Sequence, residues 1–178
     1  MPAVRSEYNP LISPADVKPS RPDFEVVCVF NAGVIRYRNE VLLLLRVAEK
    51  PINHNPDLEL VPVYDTEAGQ VMVKAFARHD KGCDFSDSRF VRTGSEQYLS
   101  SLSHLRLARS RDGVHFKIDE RPAMAPANPY EMYGMEDPRI VRLADRYYIT
   151  YSAVSPLGSS IALASTANFT TYRRHGVI

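Results

Sequence analysis

Four consecutive residues, Glu136-Asp137-Pro138-Arg139, combine two carboxylates with a rigid backbone position and a guanidinium. Neighbouring carboxylates suit acid–base chemistry, because one can hold a proton while the other stays charged. Proline restricts the backbone directly after the acid, and the charge of Arg139 lowers the pKa of a nearby carboxyl group. The pattern therefore predicts either a catalytic acid held in place at a strand entrance or a solvated turn in which Asp137 caps the following strand.

The elements around this motif are predicted to be β-strands. "RIVRLADRYYITYSAV" is typical of a hairpin around Ala144-Asp145, and "EVVCVFNAGVIRY" is a β-branched, aromatic run interrupted at Asn31-Ala32-Gly33. Similar short strands recur from Phe24 onward with almost no helical period, which favours an all-β sandwich, barrel or propeller. "LRLARSRDGVHFKID" and "IALASTANFTTYRRHG" resemble each other about 55 residues apart, a spacing that suits one propeller blade per repeat.

The N-terminal segment differs from the rest of the chain. Residues 1–23 contain five prolines, so they are predicted to form an extended arm rather than a long helix. Residues 24–178 are predicted to be β-propeller blades. The chain start has no apolar signal core, so we expect a cytoplasmic protein.

The composition excludes several function classes. The net charge of +1 gives no basic field that argues for nucleic acid and no acidic field that argues against it, and no nucleic-acid partner is expected. No apolar run approaches the ~18 residues needed to cross a membrane, so no membrane partner is expected either. Cys28 lies in an apolar run and Cys83 in a polar stretch, which predicts one buried thiol and one loop thiol in a reducing compartment. No cluster of His, Asp, Glu or Cys has metal-ligand spacing, so neither a metal nor another cofactor is expected.

Four motifs occur in a characteristic order: "NPLISPADV", "VFNAGVIRY" with "EVLLLLRVAE", "SHLRLARSRDGVHF" and "GMEDPRIVRLADRYYITYSAVS". Together they resemble the N-terminal half of glycoside hydrolase family 130, which comprises β-mannoside phosphorylases and related β-1,2-mannosidases. The resemblance covers nearly all of the chain. It implies a five-bladed β-propeller with the active site in its central channel, of which this chain would supply roughly the first half of the blades.

The resemblance also implies roles for individual residues. It places the catalytic acid at Asp137, with the proton passing through a hydroxyl group of the bound mannose. The implied substrate-binding residues are Asn31, Arg46, Ser103, His104, Glu136 and Arg139.

Alternatives remain open for several of these residues. The Asn31 amide could instead hydrogen-bond its own turn, and Arg46 could form a surface salt bridge. Strand alternation places His104 and Arg106 on one face and Ser103 on the other, so His104 could equally be a partnered core residue. Arg173 and Arg174 are weak candidates for phosphate binding and could form a solvated turn.

The expected activity is an inverting phosphorolysis of β-linked manno-oligosaccharides, with inorganic phosphate as co-substrate and mannose 1-phosphate as product. The alternatives are an inverting β-1,2-mannosidase and a truncated, non-catalytic carbohydrate-binding fragment. The sequence leaves the β-1,2 or β-1,4 linkage open. Neither a full phosphate cradle nor a clear water-activating carboxylate can be assigned in the chain, so the isolated chain is expected to be inactive. Half a propeller leaves strand edges unpaired, and pairing of these edges could form a homo-oligomer.

Overall fold

The computed structural model describes residues 6–178, and β-strand is the dominant regular secondary structure there, as predicted. Two short 3-10 turns interrupt it, at Pro14–Asp16 and Pro129–Glu131. The strands are β1 (Phe24–Tyr37), β2 (Glu40–Pro51), β3 (Leu58–Asp65), β4 (Gln70–Ala77), β5 (Cys83–Asp84), β6 (Phe90–Thr93), β7 (Glu96–Leu99), β8 (Leu102–Ser110), β9 (Lys117–Ile118), β10 (Gly134–Leu143), β11 (Arg146–Ser155), β12 (Gly158–Thr166) and β13 (Arg173–Val177).

The strands form two four-stranded blades. Blade 1 has the order β1-β2-β8-β9 and blade 2 has the order β10-β11-β12-β13, with antiparallel pairing inside each blade. A parallel pairing of Gly134 with Ser103 joins the two blades into one sheet. Four-stranded meanders of this kind are the units of a β-propeller, although residues 6–178 do not close into a ring.

The core lies between the two blades. Alternating residues of β2 and β8 turn apolar side chains toward blade 2, where β10, β11 and β12 turn theirs back. The buried members include Leu42, Leu44, Leu105, Leu107, Met135, Ile149 and Tyr151. This packing holds the two innermost strands, β1 and β10, beside each other.

An insertion separates the second and third strands of blade 1. The β3–β4 hairpin and the small β5-β6-β7 sheet lie outside both blades and have a core of their own around Val61, Val91 and Tyr98. Glu49 and Leu102 are cross-strand partners, so the chain returns beside the point where it left the blade. The sequence prediction treated residues 24–178 as blades throughout and did not separate this insertion.

The described part of the N-terminal arm, residues 6–23, lies against blade 1. The backbone N–H of Ser20 donates to Glu49 over 2.9 Å, and the Ser20 hydroxyl donates to the same carboxylate. Arg106 donates to the Lys18 carbonyl over 2.5 Å. Residues 1–5 of the predicted arm lie outside the described residues.

Two smaller predictions can be compared with the structure. β10 and β11 form the expected hairpin, with Ala144 in the left-handed conformation at its turn. The expectation of a buried Cys28 is wrong, because its side chain alternates to the exposed side of β1. No helix among residues 6–178 has the length and hydropathy needed to cross a membrane.

Candidate active site

The innermost strand of each blade contains a β-bulge. The bulge holds an asparagine in β1 and an aspartate in β10. The register of β1 shifts between Phe30 and Gly33, and that of β10 shifts between Glu136 and Arg139. Asn31 and Asp137 lie within these shifts and both have a left-handed backbone with φ of 48°. Bulges of this kind re-aim a side chain, and Asn and Asp tolerate the left-handed conformation better than most residues.

The two bulges meet. Asn31 Nδ2 donates to Asp137 Oδ1 over 2.9 Å, across the boundary between the blades. Gly33 permits this approach, because a Cβ atom there would lie 3.0 Å from both the Pro138 carbonyl oxygen and the Ile140 side chain. The sequence break predicted at residues 31–33 is thus a bulge that brings β1 against β10.

Arg46 connects the two carboxylates. Its Nη1 donates to Asp137 Oδ1 over 3.0 Å and its Nη2 donates to Glu136 Oε1 over 2.5 Å. Its Nε donates to Ser103 Oγ over 3.1 Å, and its guanidinium carbon lies 4.2 Å from the centre of the Phe30 ring. A planar guanidinium with these four neighbours has a defined orientation, so the two acids are held at a fixed relative position.

Gly134 allows Ser103 to reach this cluster. Its φ is 123°, and a Cβ atom there would lie 2.7 Å from the Ser103 nitrogen. Only glycine accommodates both the backbone conformation and the close approach. The parallel contact between the blades therefore positions the hydroxyl group that orients Arg46.

The electrostatics of the two acids differ. Burial raises the pKa of the Glu136 carboxyl, and the neighbouring charge of Asp137 adds to this effect while Arg46 opposes it. Burial also acts to raise the pKa of Asp137, but hydrogen bonds from Asn31 and Arg46 outweigh it and leave that pKa below its usual value. In the free site Asp137 is therefore an anion at neutral pH, and Glu136 is the more readily protonated of the two.

The structure brings together five of the residues singled out from the sequence: Asn31, Arg46, Ser103, Glu136 and Asp137. Arg139 lies close enough for its charge to lower the pKa of Asp137, but its Nη1 donates to the Pro138 carbonyl over 3.0 Å. Arg46 does form salt bridges, as the alternative expected, but they lie within the cluster and not on the surface, since only 17% of its side chain is exposed.

His104 lies elsewhere. Its Nε2 is 3.0 Å from Glu49 Oε1, and both side chains are buried with Arg106 beneath the N-terminal arm. The predicted alternation of β8 is confirmed, since Ser103 contacts Arg46 while His104 does not. The geometry favours the partnered core interpretation over the substrate-binding one.

Arg173 and Arg174 also lie away from the cluster. Their backbone belongs to β13, three strands from β10, although Arg174 Nη2 reaches back to 3.8 Å from Met135 Sδ on β10. Arg174 Nε donates to the buried Glu131 over 3.1 Å, and its Nη2 donates to the Ala125 carbonyl over 2.5 Å. The geometry gives no support to a phosphate site there, because Arg174 already holds a carboxylate.

Phe30 was not predicted from the sequence to belong to the site. It supplies the aromatic face on which Arg46 lies, and it directly precedes Asn31 in the motif "VFNAG". The available signal was an aromatic residue next to a strand interruption, on a strand that pairs with the strand of Arg46. Within residues 6–178 no group of three or more His, Cys, Asp or Glu side chains is placed to hold a metal ion.

The fold and the site define a class: a propeller-type protein with a pair of acids clamped by arginine where two blades meet. The sequence profile of a family described as beta-1,4-mannooligosaccharide phosphorylase matches residues 87–178, just over half of the chain. The chain belongs to this family, glycoside hydrolase family 130. The resemblance noted from the motifs is thereby confirmed.

Curated relatives agree with this assignment. A beta-1,2-mannobiose phosphorylase from Listeria innocua serovar 6a is 44% identical over 178 residues, covering 98% of this chain and 50% of that protein. A 1,2-beta-oligomannan phosphorylase from Thermoanaerobacter sp. (strain X514) is 29% identical over 143 residues, covering 78% of this chain and 46% of that protein. The chain thus spans about half the length of the curated relatives it matches.

Solved structures show the same fold. The Listeria innocua beta-1,2-mannobiose phosphorylase in its beta-1,2-mannobiose complex superposes with a TM-score of 0.91, covering 98% of this chain and 50% of that chain. A glycosyl hydrolase from Bacteroides ovatus superposes with a TM-score of 0.61 at 20% identity, covering 97% of this chain and 40% of that one, which shows the fold alone. The family fold is a five-bladed β-propeller, and this chain contributes about half of it.

Proposed function

We propose that the protein containing this chain catalyses the inverting phosphorolysis of β-1,2-linked mannosides and releases mannose 1-phosphate. The observation that carries this proposal is the Arg46 clamp, which holds Glu136 and Asp137 between two blades of a chain 44% identical to a beta-1,2-mannobiose phosphorylase. The identity to that relative supports the β-1,2 over the β-1,4 linkage.

In the proposed reaction, a phosphate oxygen attacks the anomeric carbon of the mannosyl unit from the face opposite the glycosidic bond. The carbon–oxygen bond to the leaving sugar breaks, and its oxygen takes up a proton that originates from Asp137. Inversion converts the β-mannoside into α-mannose 1-phosphate and frees the remaining sugar. Phosphate is a substrate here and not a cofactor.

Asp137 must be protonated to act as this donor, although the free site favours its anion. Substrate binding removes water from the half-exposed carboxyl group, and this desolvation raises its pKa. Asn31, Arg46 and Glu136 lie where they can hold the hydroxyl groups of the sugar next to Asp137. A bound hydroxyl can then relay the proton to the leaving oxygen.

We further propose a cytoplasmic location and a homo-oligomeric state. Two free thiols, Cys28 and Cys83, support a reducing compartment. Exposed apolar residues on the strand faces of the blades, among them Val34, Val141 and Ile161, support burial against further protein. Size-exclusion chromatography with light scattering measures the number of copies directly.

The test uses the protein as its gene encodes it, incubated with β-1,2-mannobiose in the presence and absence of phosphate. Mannose 1-phosphate and free mannose are both quantified, with β-1,4-mannobiose as the matched substrate control. We expect mannose 1-phosphate only when phosphate and the β-1,2-linked substrate are both present. Release of two mannose molecules at the same rate without phosphate would identify a hydrolase instead.

A further inference from the structure

The ladder of paired residues between β2 and β8 ends beside the candidate active site. Its last pair is Glu49 with Leu102, and Ser103 belongs to the pair before it. Ser103 is thus only the second residue of β8, yet its hydroxyl group is the acceptor that orients Arg46 through Nε. The ends of secondary-structure elements open more readily than their middles, so a fixed position of Ser103 requires support from outside this ladder.

Support reaches this end of the ladder from two sides. On the side of blade 2, Gly134 pairs with Ser103. On the opposite side, the N-terminal arm covers the other face of β2 and β8, where Val17 is buried in one apolar cluster with Leu45 and Val47. The arm therefore lies directly behind the strands that carry the site.

Three buried side chains of β2 and β8 hold the backbone of the arm. Glu49 accepts hydrogen bonds from the backbone N–H of Ser20 over 2.9 Å and from its hydroxyl group, and Arg106 donates to the Lys18 carbonyl over 2.5 Å. His104 Nε2 lies 3.0 Å and Arg106 Nη2 lies 3.7 Å from the same oxygen of Glu49. One polar network thus joins two residues of the arm to both strands.

This network alternates with the site along the same two strands. Glu49 follows Arg46 by three residues on β2, and His104 directly follows Ser103 on β8. Because successive side chains of a strand point to opposite faces, a displacement of the backbone at His104 also displaces Ser103. The arm therefore acts on the backbone that carries the two residues of the site.

Stability alone accounts poorly for this network. Glu49, His104 and Arg106 are buried, and His104 Nδ1 and Arg106 Nε have no hydrogen-bond partner among residues 6–178. Apolar side chains of similar volume often stabilise a core as well as buried ionic groups do. Hydrogen-bonded networks add directional contacts, which favour one arrangement of the segments that they join. The network is thus suited to fixing where the arm lies on blade 1.

We propose that the N-terminal arm is a positioning element of the active site. The contact of Ser20 with Glu49 fixes the end of the β2–β8 ladder. That end in turn places the Ser103 hydroxyl group, which orients Arg46. The effect on the rate of phosphorolysis rests on the proposed function, whereas the effect on the Arg46 guanidinium does not.

The test compares two serines of the arm in the protein as its gene encodes it. Ser20→Ala removes the hydroxyl group that donates to Glu49. Ser13→Ala is the matched control, because the Ser13 hydroxyl group also donates to a carboxylate, that of Asp16 over 2.7 Å, but lies outside the network. Ser20→Thr retains the hydroxyl group. Thermal melting of each variant verifies that it is folded.

The first measurement is the hydrogen-exchange rate of the Arg46 Nε–H group, followed by heteronuclear NMR and assigned by the loss of its signal in Arg46→Lys. This rate reports the hydrogen bond to Ser103 and requires no reaction. We expect exchange to be about 3- to 10-fold faster in Ser20→Ala, the scale of one hydrogen bond. Ser13→Ala and Ser20→Thr should exchange as the parent does.

The second measurement is kcat/KM for phosphorolysis of β-1,2-mannobiose. Ser20→Ala should lower it about 3- to 10-fold, because a misplaced Arg46 misplaces the two acids. In the Arg46→Gln background, Ser20→Ala should cause no further loss, since residues that act through one another are not additive.

Several results would overturn the positioning role. These are exchange of Arg46 Nε–H at the parent rate in Ser20→Ala, an acceleration that Ser13→Ala reproduces, and an undiminished further loss of kcat/KM in the Arg46→Gln background. Faster exchange in Ser20→Ala alone, in a protein that does not phosphorolyse mannobiose, removes the proposed function and supports the positioning role.

Discussion

Two arginines of blade 1, Arg46 and Arg106, each contact carboxylates, and the two clusters that they form differ in how deeply they are buried. Arg46 holds Glu136 and Asp137 in an open site, where the side chains are 17%, 21% and 39% exposed. Arg106 is fully buried near Glu49 and His104 on the opposite face of the same two strands. The charges of the open cluster remain available to a ligand, whereas those of the buried cluster bind the backbone of the chain's own N-terminal arm.

The two clusters also differ in how completely their partners are satisfied. In the buried cluster, His104 Nδ1 and Arg106 Nε have no hydrogen-bond partner among the described residues. In the open cluster, the three hydrogen-bonding nitrogens of Arg46 all find an oxygen. The hydrogen bonds of the open cluster are thus the more completely satisfied, and the buried cluster stabilises mainly through the contacts that Glu49 makes with Ser20 and His104.

The largest effect is expected from Asp137→Asn. Asparagine accepts the left-handed backbone at this position, so the variant should fold normally while losing the acid. The rate of phosphorolysis should fall at least ~100-fold, the usual scale for general acid catalysis. Initial-rate assays of mannose 1-phosphate measure this, and turnover at the parent rate would reject Asp137 as the donor.

The next effect is expected from the buried cluster. Glu49→Ala leaves the Arg106 charge buried without its carboxylate and releases Ser20, so the free energy of unfolding should fall by about 3–5 kcal/mol. Urea unfolding followed by circular dichroism measures it. Glu136→Gln is the control in the open cluster and should lower stability by less, since water can reach Arg46. Equal losses of unfolding free energy in Glu49→Ala and Glu136→Gln would contradict the difference in burial between the two clusters.

Removing the Arg46 guanidinium, which contacts both acids, should change the pH dependence of activity. Arg46→Gln takes away the charge and the hydrogen bond that lower the pKa of Asp137, so that pKa should rise. Because a proton donor is inactive above its pKa, the alkaline limb of the pH–rate profile should move to higher pH. The maximal kcat/KM should nevertheless fall about 10- to 100-fold, because the two acids lose the guanidinium that fixes their relative position. An unmoved limb would show that Arg46 does not set the protonation of the donor.

The smallest effect concerns acid stability. Burial lowers the pKa of His104 below its ordinary 6.5, so below that pH the unfolded chain binds a proton that the folded chain excludes. The melting temperature should therefore decrease as the pH falls through about 6.5, and less steeply in His104→Gln. The exposed His54→Gln is the control. A slope as steep in His104→Gln as in the parent would exclude this histidine as the cause.

The sequence predicted the strands because these depend on local patterns, and the resemblance of the motifs to the family indicated five residues that the structure brings together. Alternation along β8 correctly separated Ser103 from His104, and the interruption at Asn31 correctly marked an irregular strand. The motif order also identified Arg46 and Asp137 together, although they lie 91 positions apart.

Long-range partners could not be predicted in this way. That His104 is held by Glu49, and Arg174 by Glu131, depends on packing between segments 55 and 43 residues apart. The insertion was missed because its strands have the same alternation as blade strands. Strand pairing alone separates them, since among the described strands β3 and β4 pair only with each other.

The chain leaves blade 1 after Glu49 and re-enters it at Leu102, and this affects how the sequence of the insertion can change in evolution. Because these two positions are neighbours across the sheet, the segment between them can be exchanged, lengthened or shortened while both ends of the blade stay in register. The acids on β10 belong to the other blade and would be inherited unchanged. Related chains can therefore keep the Glu136–Asp137 pair and differ in this segment, provided that each new segment covers the ring of Tyr133.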